Sequence, residues 1–197
     1  MSDPFFTIIT PTIQRQSLIR CCRSVESQSY ERWEHLVRVD RHSTDDELMG
    51  KVVHPRRSVS ICDWEHHNGG NTCRFEAWEN ATGVYCLYLD DDNFLSDDTI
   101  LEDIASALES ADKPQWGLFP ILRHGQWFYY DPPYYCSTDT GNVVVRREIG
   151  QWPNVQQRES DWALVERLLG YPYKAFPEFR PIIVMPSSNF GKAESAL

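Results

Sequence analysis

The chain has 197 residues, of which 41% are hydrophobic and 13% aromatic, a composition typical of a globular domain with a sizeable core. Its formal net charge is −10, so it offers no basic surface that would neutralise a nucleic-acid backbone. We therefore expect no nucleic acid as a partner, and an anionic small molecule would need a divalent cation or a few arginines beside it.

The cysteines and the N-terminus predict a reduced, cytoplasmic protein. The chain begins without a secretory signal, so its six cysteines are expected to be free thiols. No CxxC motif occurs, and the pair His66 and His67 has no cysteine at ligand spacing, so the spacing does not predict a structural zinc site. No apolar run approaches the roughly 18 residues that span a bilayer, and we expect no transmembrane segment.

In the first half of the chain, apolar segments alternate with segments of helical spacing. The predicted strands are Phe5 to Thr10, which Pro11 stops, Trp33 to Val39, which ends at Asp40, and Ser58 to Cys62. The predicted helices contain Leu18 to Val25 and Phe75 to Ala81, and Gly83 is expected to stop the second one.

The run from Val84 to Leu89 is continuously apolar or aromatic, which predicts a central strand covered on both faces. It leads directly into three consecutive aspartates, 90 to 92. Ser96 or Asp97 is expected to cap the next helix, whose buried face recurs from Ile100 to Leu108.

The second half reads as shorter strands and one late helix. We predict strands from Trp116 to Leu122, Trp127 to Tyr130 and Asn142 to Val145, with a hairpin turn at His124 to Gln126 and a helix from Ser160 to Leu169 that ends at Gly170. After Pro172 only residues 182–184 look regular. The pattern is that of an α/β protein, largely parallel in its first half.

Polar residues follow three of the predicted strands: Thr12, Asp40 and the run Asp90, Asp91, Asp92. Ligands of open α/β sheets bind beyond the carboxyl ends of the strands. A lone aspartate there would be read more simply as a turn residue or a helix cap. Three adjacent carboxylates repel each other, however, and a divalent cation that prefers oxygen ligands relieves this repulsion.

Four segments resemble the signature segments of glycosyltransferase family 2, the inverting enzymes of GT-A fold, in order and spacing. They are TIITPTIQR, SVESQSYERWEHLVRVDRHSTD, ENATGVYCLYLDDDNFLSDD and ESDWALVERLL. The resemblance implies one glycosyltransferase domain over residues 1–197, with a Rossmann-like, mixed but mainly parallel central sheet flanked by helices. Residues 1–95 would form the nucleotide-binding half, and residues 96–197 the half that holds the acceptor and the catalytic base.

The same resemblance implies roles for residues that bind a nucleotide-diphosphate sugar, with UDP as the expected nucleotide. The nucleotide pocket would be lined by Pro11, Thr12, Ile13, Asp40 and Arg74, with Asp40 accepting hydrogen bonds from the base. Asp90 to Asp92 match the DXD region of the family. Within it, Asp91 would lie nearest the ribose, and Asp92 would be the direct ligand of Mn²⁺ or Mg²⁺.

Asp161 matches the family's catalytic base, and Glu159 is the alternative. A carboxylate there would take the proton from an acceptor hydroxyl as its oxygen attacks the anomeric carbon, which inverts the configuration. From the residues alone, Asp161 is a carboxylate in the first turn of a helix, which favours the helix dipole by ~0.3–1 kcal/mol. The expected acceptor is a saccharide or a lipid-linked molecule.

Several alternatives stay open. The chain could be a catalytically silent module that binds nucleotide sugars, or a sugar-phosphate nucleotidylyltransferase, although residues 11–15 lack the glycines of that class's phosphate loop. The aromatic residues between Trp127 and Tyr135 fit core packing and an acceptor surface equally well. Asp139 fits an acceptor contact or a turn. The sequence leaves a homodimer open.

Overall fold

The protein is described by a computed structural model that covers residues 3–41, 45–153 and 160–187. Strands and helices alternate through the first half, as the hydrophobic pattern predicts. The elements of this half are β1 (Phe6–Thr12), α1 (Ser17–Glu26), β2 (Trp33–Val39), α2 (Asp46–Gly50), β3 (Arg57–Ile61), α3 (Asn71–Glu79), β4 (Tyr85–Tyr88) and β5 (Phe94–Leu95).

The described part of the second half contains shorter strands and two helices. Its elements are α4 (Ile100–Ser110), β6 (Trp116–Leu118), β7 (Ile121–Arg123), β8 (Gln126–Phe128), a 3-10 turn (Thr140–Asn142), β9 (Val143–Arg146), α5 (Ser160–Leu168), β10 (Tyr173–Ala175) and β11 (Ile183–Met185). None of the helices in these ranges is long and apolar enough to cross a membrane.

The strands form two sheets. The larger has the order β10-β6-β9-β4-β1-β2-β3, and each pairing in it is parallel except the two that β9 makes. The smaller has the order β5-β11-β7-β8 and is mostly antiparallel. Because β1 and β4 are parallel neighbours, their carboxyl ends meet at one edge. Thr12 and the aspartates after β4 therefore come together.

Helices cover both faces of the large sheet, and the side chains of its central strands alternate between the two layers. Ile8 and Leu87 pack with α1 and α4 on one face. Ile9 and Tyr88 pack with α3 and α5 on the other. Both strands are thus fully buried, which explains the continuous apolar run of β4. The structure confirms the predicted mixed, mainly parallel sheet flanked by helices.

Two predicted boundaries were wrong. Pro11 does not stop β1, which continues to Thr12, because at Pro11 the strand pairs with β2 alone and no second ladder is interrupted. Gly83 does not end α3, which already ends at Glu79. Gly83 instead lies against β1, where an added Cβ would come 2.6 Å from the backbone nitrogen of Thr7.

The predicted strand from Trp116 to Leu122 is divided in two. It breaks at Phe119 and Pro120, because proline has no N–H to donate to a sheet. The break lets the chain pass from the large sheet into the small one, where Ile182 donates its N–H to the carbonyl of Pro120 at 2.9 Å. The hairpin turn is confirmed, with His124 and Gly125 both at positive φ.

The predicted cap of α4 was also wrong. The helix begins after Thr99 without a side-chain cap, so neither Ser96 nor Asp97 caps it. Asp97 accepts a hydrogen bond from the Thr99 N–H at 3.0 Å and forms an ion pair with Arg180. In the tail, residues after Pro172 form the edge strand β10, which the sequence pattern did not indicate.

Candidate functional site

The end of β1 and the aspartates after β4 are joined by hydrogen bonds. Thr12 is buried, and its hydroxyl donates to the Oδ2 atom of Asp91 at 2.6 Å while accepting from the backbone N–H of Gln14 at 2.8 Å. Gln14 adopts a positive φ of 65°, which turns the chain away from the sheet immediately after β1. The turn brings Arg15 next to the same aspartates.

Arg15 joins two carboxylates. Its Nη1 atom lies 3.1 Å from Asp91 and 3.0 Å from Asp92. The Asp91 side chain is almost completely buried, whereas that of Asp92 is half exposed. Burial raises the pKa of Asp91 to about 6, against the opposing effects of the Thr12 hydrogen bond and the Arg15 charge. Burial also raises the pKa of Asp92, and the negative charge of Asp90 adds to this effect.

Arg74 is a buried cation in α3. One of its terminal nitrogens pairs with Asp90, and the other donates to the carbonyl of Gly69 at 2.8 Å. Its guanidinium lies over the ring of Trp152, 4.7 Å from the centroid. Burial by itself lowers the pKa of Arg74, but the carboxylates of Asp90 and Asp161 outweigh this and raise it. Arg74 therefore stays charged.

Asp40 is buried where β2 ends, and backbone amides hold its carboxylate. One oxygen accepts from the N–H of His66 at 2.7 Å, and the other from the N–H of His67 at 3.3 Å. These bonds fasten the loop after β3 to the end of β2. The loop continues to Gly70, whose φ is +82° and whose Cβ, if present, would lie 2.7 Å from the Pro11 side chain. Only glycine fits this close approach.

These groups surround one cleft of about 480 Å³ at the carboxyl edge of the large sheet. It contains eight of the nine residues for which the sequence suggested a role. Its lining comprises Pro11, Thr12, Ile13, Arg15, Asp40, His67, Gly69, Gly70, Arg74, Asp90, Asp91 and Asp92. The cleft is thus acidic at the Asp90 to Asp92 edge and carries two arginines that offset this charge.

Asp161, the ninth residue, lies in the first turn of α5 and does not line this cleft. Burial raises its pKa to about 7. The nearby carboxylates of Asp139 and Asp90 contribute to this rise, whereas Arg74 and Arg123 oppose it. Asp161 therefore shares Arg74 with the cleft. Glu159, the alternative base, lies outside the described residues.

Asp139 is a partly buried carboxylate that also holds a turn. It caps the 3-10 turn by accepting from the N–H of Gly141 at 3.2 Å. Burial raises its pKa, and the charge of Asp90 acts in the same direction. Asp90, Asp139 and Asp161 are therefore three carboxyl groups close enough to influence one another around Arg74.

The aromatic residues between Trp127 and Tyr135 divide between core and surface. Tyr129 packs against the core, whereas Trp127, Tyr130, Tyr134 and Tyr135 are exposed. The ring of Tyr135 meets the ring of Trp162 edge to face, at 6.2 Å between centroids. Tyr135 thus packs beside the residue that directly follows Asp161 in α5.

Sequence reasoning missed Arg15 and Trp152. Arg15 was assigned no role, although an arginine three residues beyond the end of a strand is a natural partner for carboxylates at the same edge. Trp152 is 81 positions from Asn71, which accepts its indole N–H at 3.2 Å, and no local pattern connects them.

Comparisons with known proteins place the chain. The sequence model of glycosyl transferase family 2 matches residues 7–116, more than half of the chain. The fold is similar to that of S. aureus TarS, with a TM-score of 0.72 at 16% identity over 96% of this chain and 38% of that chain. TarS 1-349 in complex with UDP-GlcNAc gives a TM-score of 0.71 at 16% identity, covering 98% of this chain and 61% of that one.

A third structure, mannosyltransferase PcManGT from Pyrobaculum calidifontis in complex with GDP-Man and Mn²⁺, gives a TM-score of 0.65 at 18% identity. It is matched over 96% of this chain and 59% of that one, so the chain spans less than two thirds of each of these three structures. A search of curated proteins found no match. The structural likeness identifies the fold as GT-A, and the match over residues 7–116 shows that the chain belongs to glycosyl transferase family 2.

Proposed function

We propose that this protein transfers a sugar from a nucleotide-diphosphate donor, with UDP as the expected nucleotide, to an acceptor hydroxyl with inversion of configuration. The proposal rests on the position of Arg74. Its guanidinium forms an ion pair with Asp90 in the acidic cleft, and its charge also lowers the pKa of Asp161. A donor site and a base are thus adjacent. In this proposal, residues 1–95 supply the donor site, and residues 96–197 supply the base and the acceptor surface of one domain.

The cleft suits a nucleotide diphosphate. Pro11, Thr12 and Ile13 line it beside Asp40, which we expect to accept hydrogen bonds from the nucleobase. Asp91 also lines the cleft and is expected to lie nearest the ribose. The cleft's arginines offset the charge of phosphate oxygens. Solved structures of the same fold bind such molecules: TarS was captured with UDP and with UDP-GlcNAc, and PcManGT with GDP-Man.

The acidic edge of the cleft fits Mn²⁺ or Mg²⁺. Arg15 already places a positive charge between Asp91 and Asp92, 3.1 and 3.0 Å from their oxygens, so this position favours a cation. Carboxylate oxygens are the ligands that these hard ions prefer. Asp92, the half-exposed member, would hold the ion. When bound, the ion supplies charge neutralisation for the departing nucleoside diphosphate.

Asp161 has the properties of a general base. Since its pKa is about 7, a substantial fraction is ionised at neutral pH and the anion still has a high affinity for a proton. It would take the proton of the acceptor hydroxyl while that oxygen forms a bond to the anomeric carbon. The bond from that carbon to the diphosphate breaks in the same displacement, which inverts the configuration.

The exposed rings of Trp127, Tyr130, Tyr134 and Tyr135 would contact the acceptor. Aromatic faces bind the apolar faces of sugar rings, and Tyr135 of this surface packs against Trp162, the residue after Asp161. An acceptor saccharide, free or linked to a lipid, would thus be held with a hydroxyl near the base.

The test is a panel of nucleotide sugars incubated with the protein and Mn²⁺, with released nucleoside diphosphate as the readout. Asp92→Ala is expected to remove metal-dependent nucleotide binding, measured by calorimetry, whereas Asp161→Asn should keep binding and lose transfer. Asp98→Ala and Glu166→Gln, at exposed carboxylates, serve as matched controls. Binding without turnover for every donor and acceptor would instead identify a silent binding module. Unchanged transfer by Asp161→Asn would refute the base assignment.

A further inference from the structure

Three side chains with metal-binding atoms converge behind the wall of the cleft. They are Asp40 at the end of β2, Cys62 at the end of β3 and His66 in the loop that follows. One ligand atom from each lies within 4.8 Å of the other two. The three residues are brought together because β2 and β3 are parallel neighbours whose carboxyl ends meet at the same edge.

The histidine of this cluster has an unsatisfied nitrogen. Nε2 of His66 is buried and has no hydrogen-bond partner among the described residues. Leaving a buried nitrogen unpaired is unfavourable, so such an atom calls for an explanation. A bound metal ion would be a partner for its lone pair.

The other two ligands are supported by neighbours in the way that metal ligands usually are. The carboxylate of Asp40 accepts two backbone N–H bonds, from His66 and His67, and keeps further lone pairs. The Sγ atom of Cys62 lies 3.3 Å from that of Cys73, which is also buried. A second thiol therefore lies next to the first.

We propose that Asp40, Cys62 and His66 form a zinc site, with Cys73 beside it. A thiolate and an imidazole select zinc over Mg²⁺ and Mn²⁺, whereas the carboxylates at Asp91 and Asp92 have the opposite preference. The chain thus carries two sites of different ligand chemistry. Zinc binding requires the Cys62 thiol to lose its proton, which is released to solvent.

The site would fix one wall of the cleft. An ion held by the three residues ties the loop of His66 to the ends of β2 and β3, and His67, Gly69 and Gly70 of that loop line the cleft. Because Asp40 also lines the cleft, a bound zinc ion would change the ability of its carboxylate to accept hydrogen bonds from a nucleobase. The site itself is independent of turnover and is tested without a donor.

The experiment measures zinc on the full-length, reduced protein. Zinc content is determined by elemental analysis, and affinity by competition with a chromophoric chelator, for the wild type, Cys62→Ser and His66→Ala. The matched controls are His67→Ala, a neighbouring histidine with an exposed side chain, and Cys136→Ser, an exposed cysteine. Cobalt(II) substitution gives a second readout, because a thiolate ligand produces a charge-transfer absorption.

We expect one tightly bound zinc per chain in the wild type and both controls, retained in excess Mg²⁺ and in Asp92→Ala. Cys62→Ser and His66→Ala should bind at least about tenfold more weakly, because loss of a direct ligand costs no less than loss of its supporting partner. His66 lies in a loop, so His66→Ala keeps the test valid should Cys62→Ser not fold. A wild type without zinc, a Cys62–Cys73 disulfide in its place, or equal affinity of His66→Ala and His67→Ala would overturn the proposal.

Discussion

Replacing Asp161 with asparagine should stabilise the folded protein while removing the proposed base. Burial, with Asp139 and Asp90 adding to it, raises the pKa of this carboxyl from 3.8 to about 7. The folded state therefore binds the proton more tightly than the unfolded chain does. The contribution of this group to stability is complete below pH 3.8 and is lost as the pH rises through about 7.

The magnitude follows from the two pKa values. Each unit of difference corresponds to about 1.4 kcal/mol, so keeping Asp161 ionised costs the folded state at most about 4 kcal/mol above pH 7. Asp161 retains some contact with solvent, which screens its charge, and an asparagine gives up about 0.3–1 kcal/mol of helix-dipole stabilisation. We expect Asp161→Asn to raise the free energy of unfolding by about 2–3 kcal/mol at pH 8, and by under about 1 kcal/mol at pH 4.

Urea denaturation at the two pH values measures this difference. Glu166→Gln, at an exposed position of the same helix, is the control and should change the free energy of unfolding by no more than about 0.5 kcal/mol. An Asp161→Asn protein that is less stable than the wild type at pH 8, or whose gain is the same at both pH values, would refute the argument that the fold penalises this charge.

Three further outcomes are expected. In a pH profile, the kcat/KM of transfer should rise with pH with a midpoint near 7, because Asp161 must be ionised to act as a base. A midpoint near 4 would contradict this. Thr12→Val removes the hydroxyl that donates to the buried Asp91, so urea denaturation at pH 8 should show a loss of about 1–3 kcal/mol, and a neutral result would mean that this bond contributes nothing. Gly83→Ala places a Cβ 2.6 Å from a backbone nitrogen of β1 and should cost about 1–3 kcal/mol in thermal or urea denaturation, whereas Gly50→Ala, with nothing within 4 Å, should cost nothing; equal stability of the two variants would show that the backbone relaxes freely.

The fold was largely predictable because local hydrophobic patterns in the sequence indicate most of its strands. The run from Val84 to Leu89 is apolar at each position because both faces of β4 are covered, and this is visible without a structure. Element ends depend on partners that the sequence does not display. Pro11 stays in β1 because β4 no longer pairs there, and β10 is a strand only because it docks on β6.

The candidate site shows the same division. The rule that ligands bind at the carboxyl ends of strands selected Thr12, Asp40 and the aspartates after β4, and all of them line one cleft. Asp161 could be selected only through the family resemblance, since a carboxylate in the first turn of a helix is common. The cluster of Asp40, Cys62 and His66 was not predicted, because the expected motif was a CxxC pair and because Asp40 lies 22 positions before Cys62, where no local spacing connects it to the other two.

Arg74 gives the two halves of the proposed reaction a common counter-ion. The guanidinium pairs with Asp90 at the edge of the cleft, and its positive charge also lowers the pKa of Asp161. A phosphate that attracts the guanidinium would move this positive charge away from Asp161. The pKa of the Asp161 carboxyl would then rise. Donor binding would thus increase the proton affinity of the Asp161 carboxylate when the anomeric carbon of the donor is in place for attack by the acceptor hydroxyl.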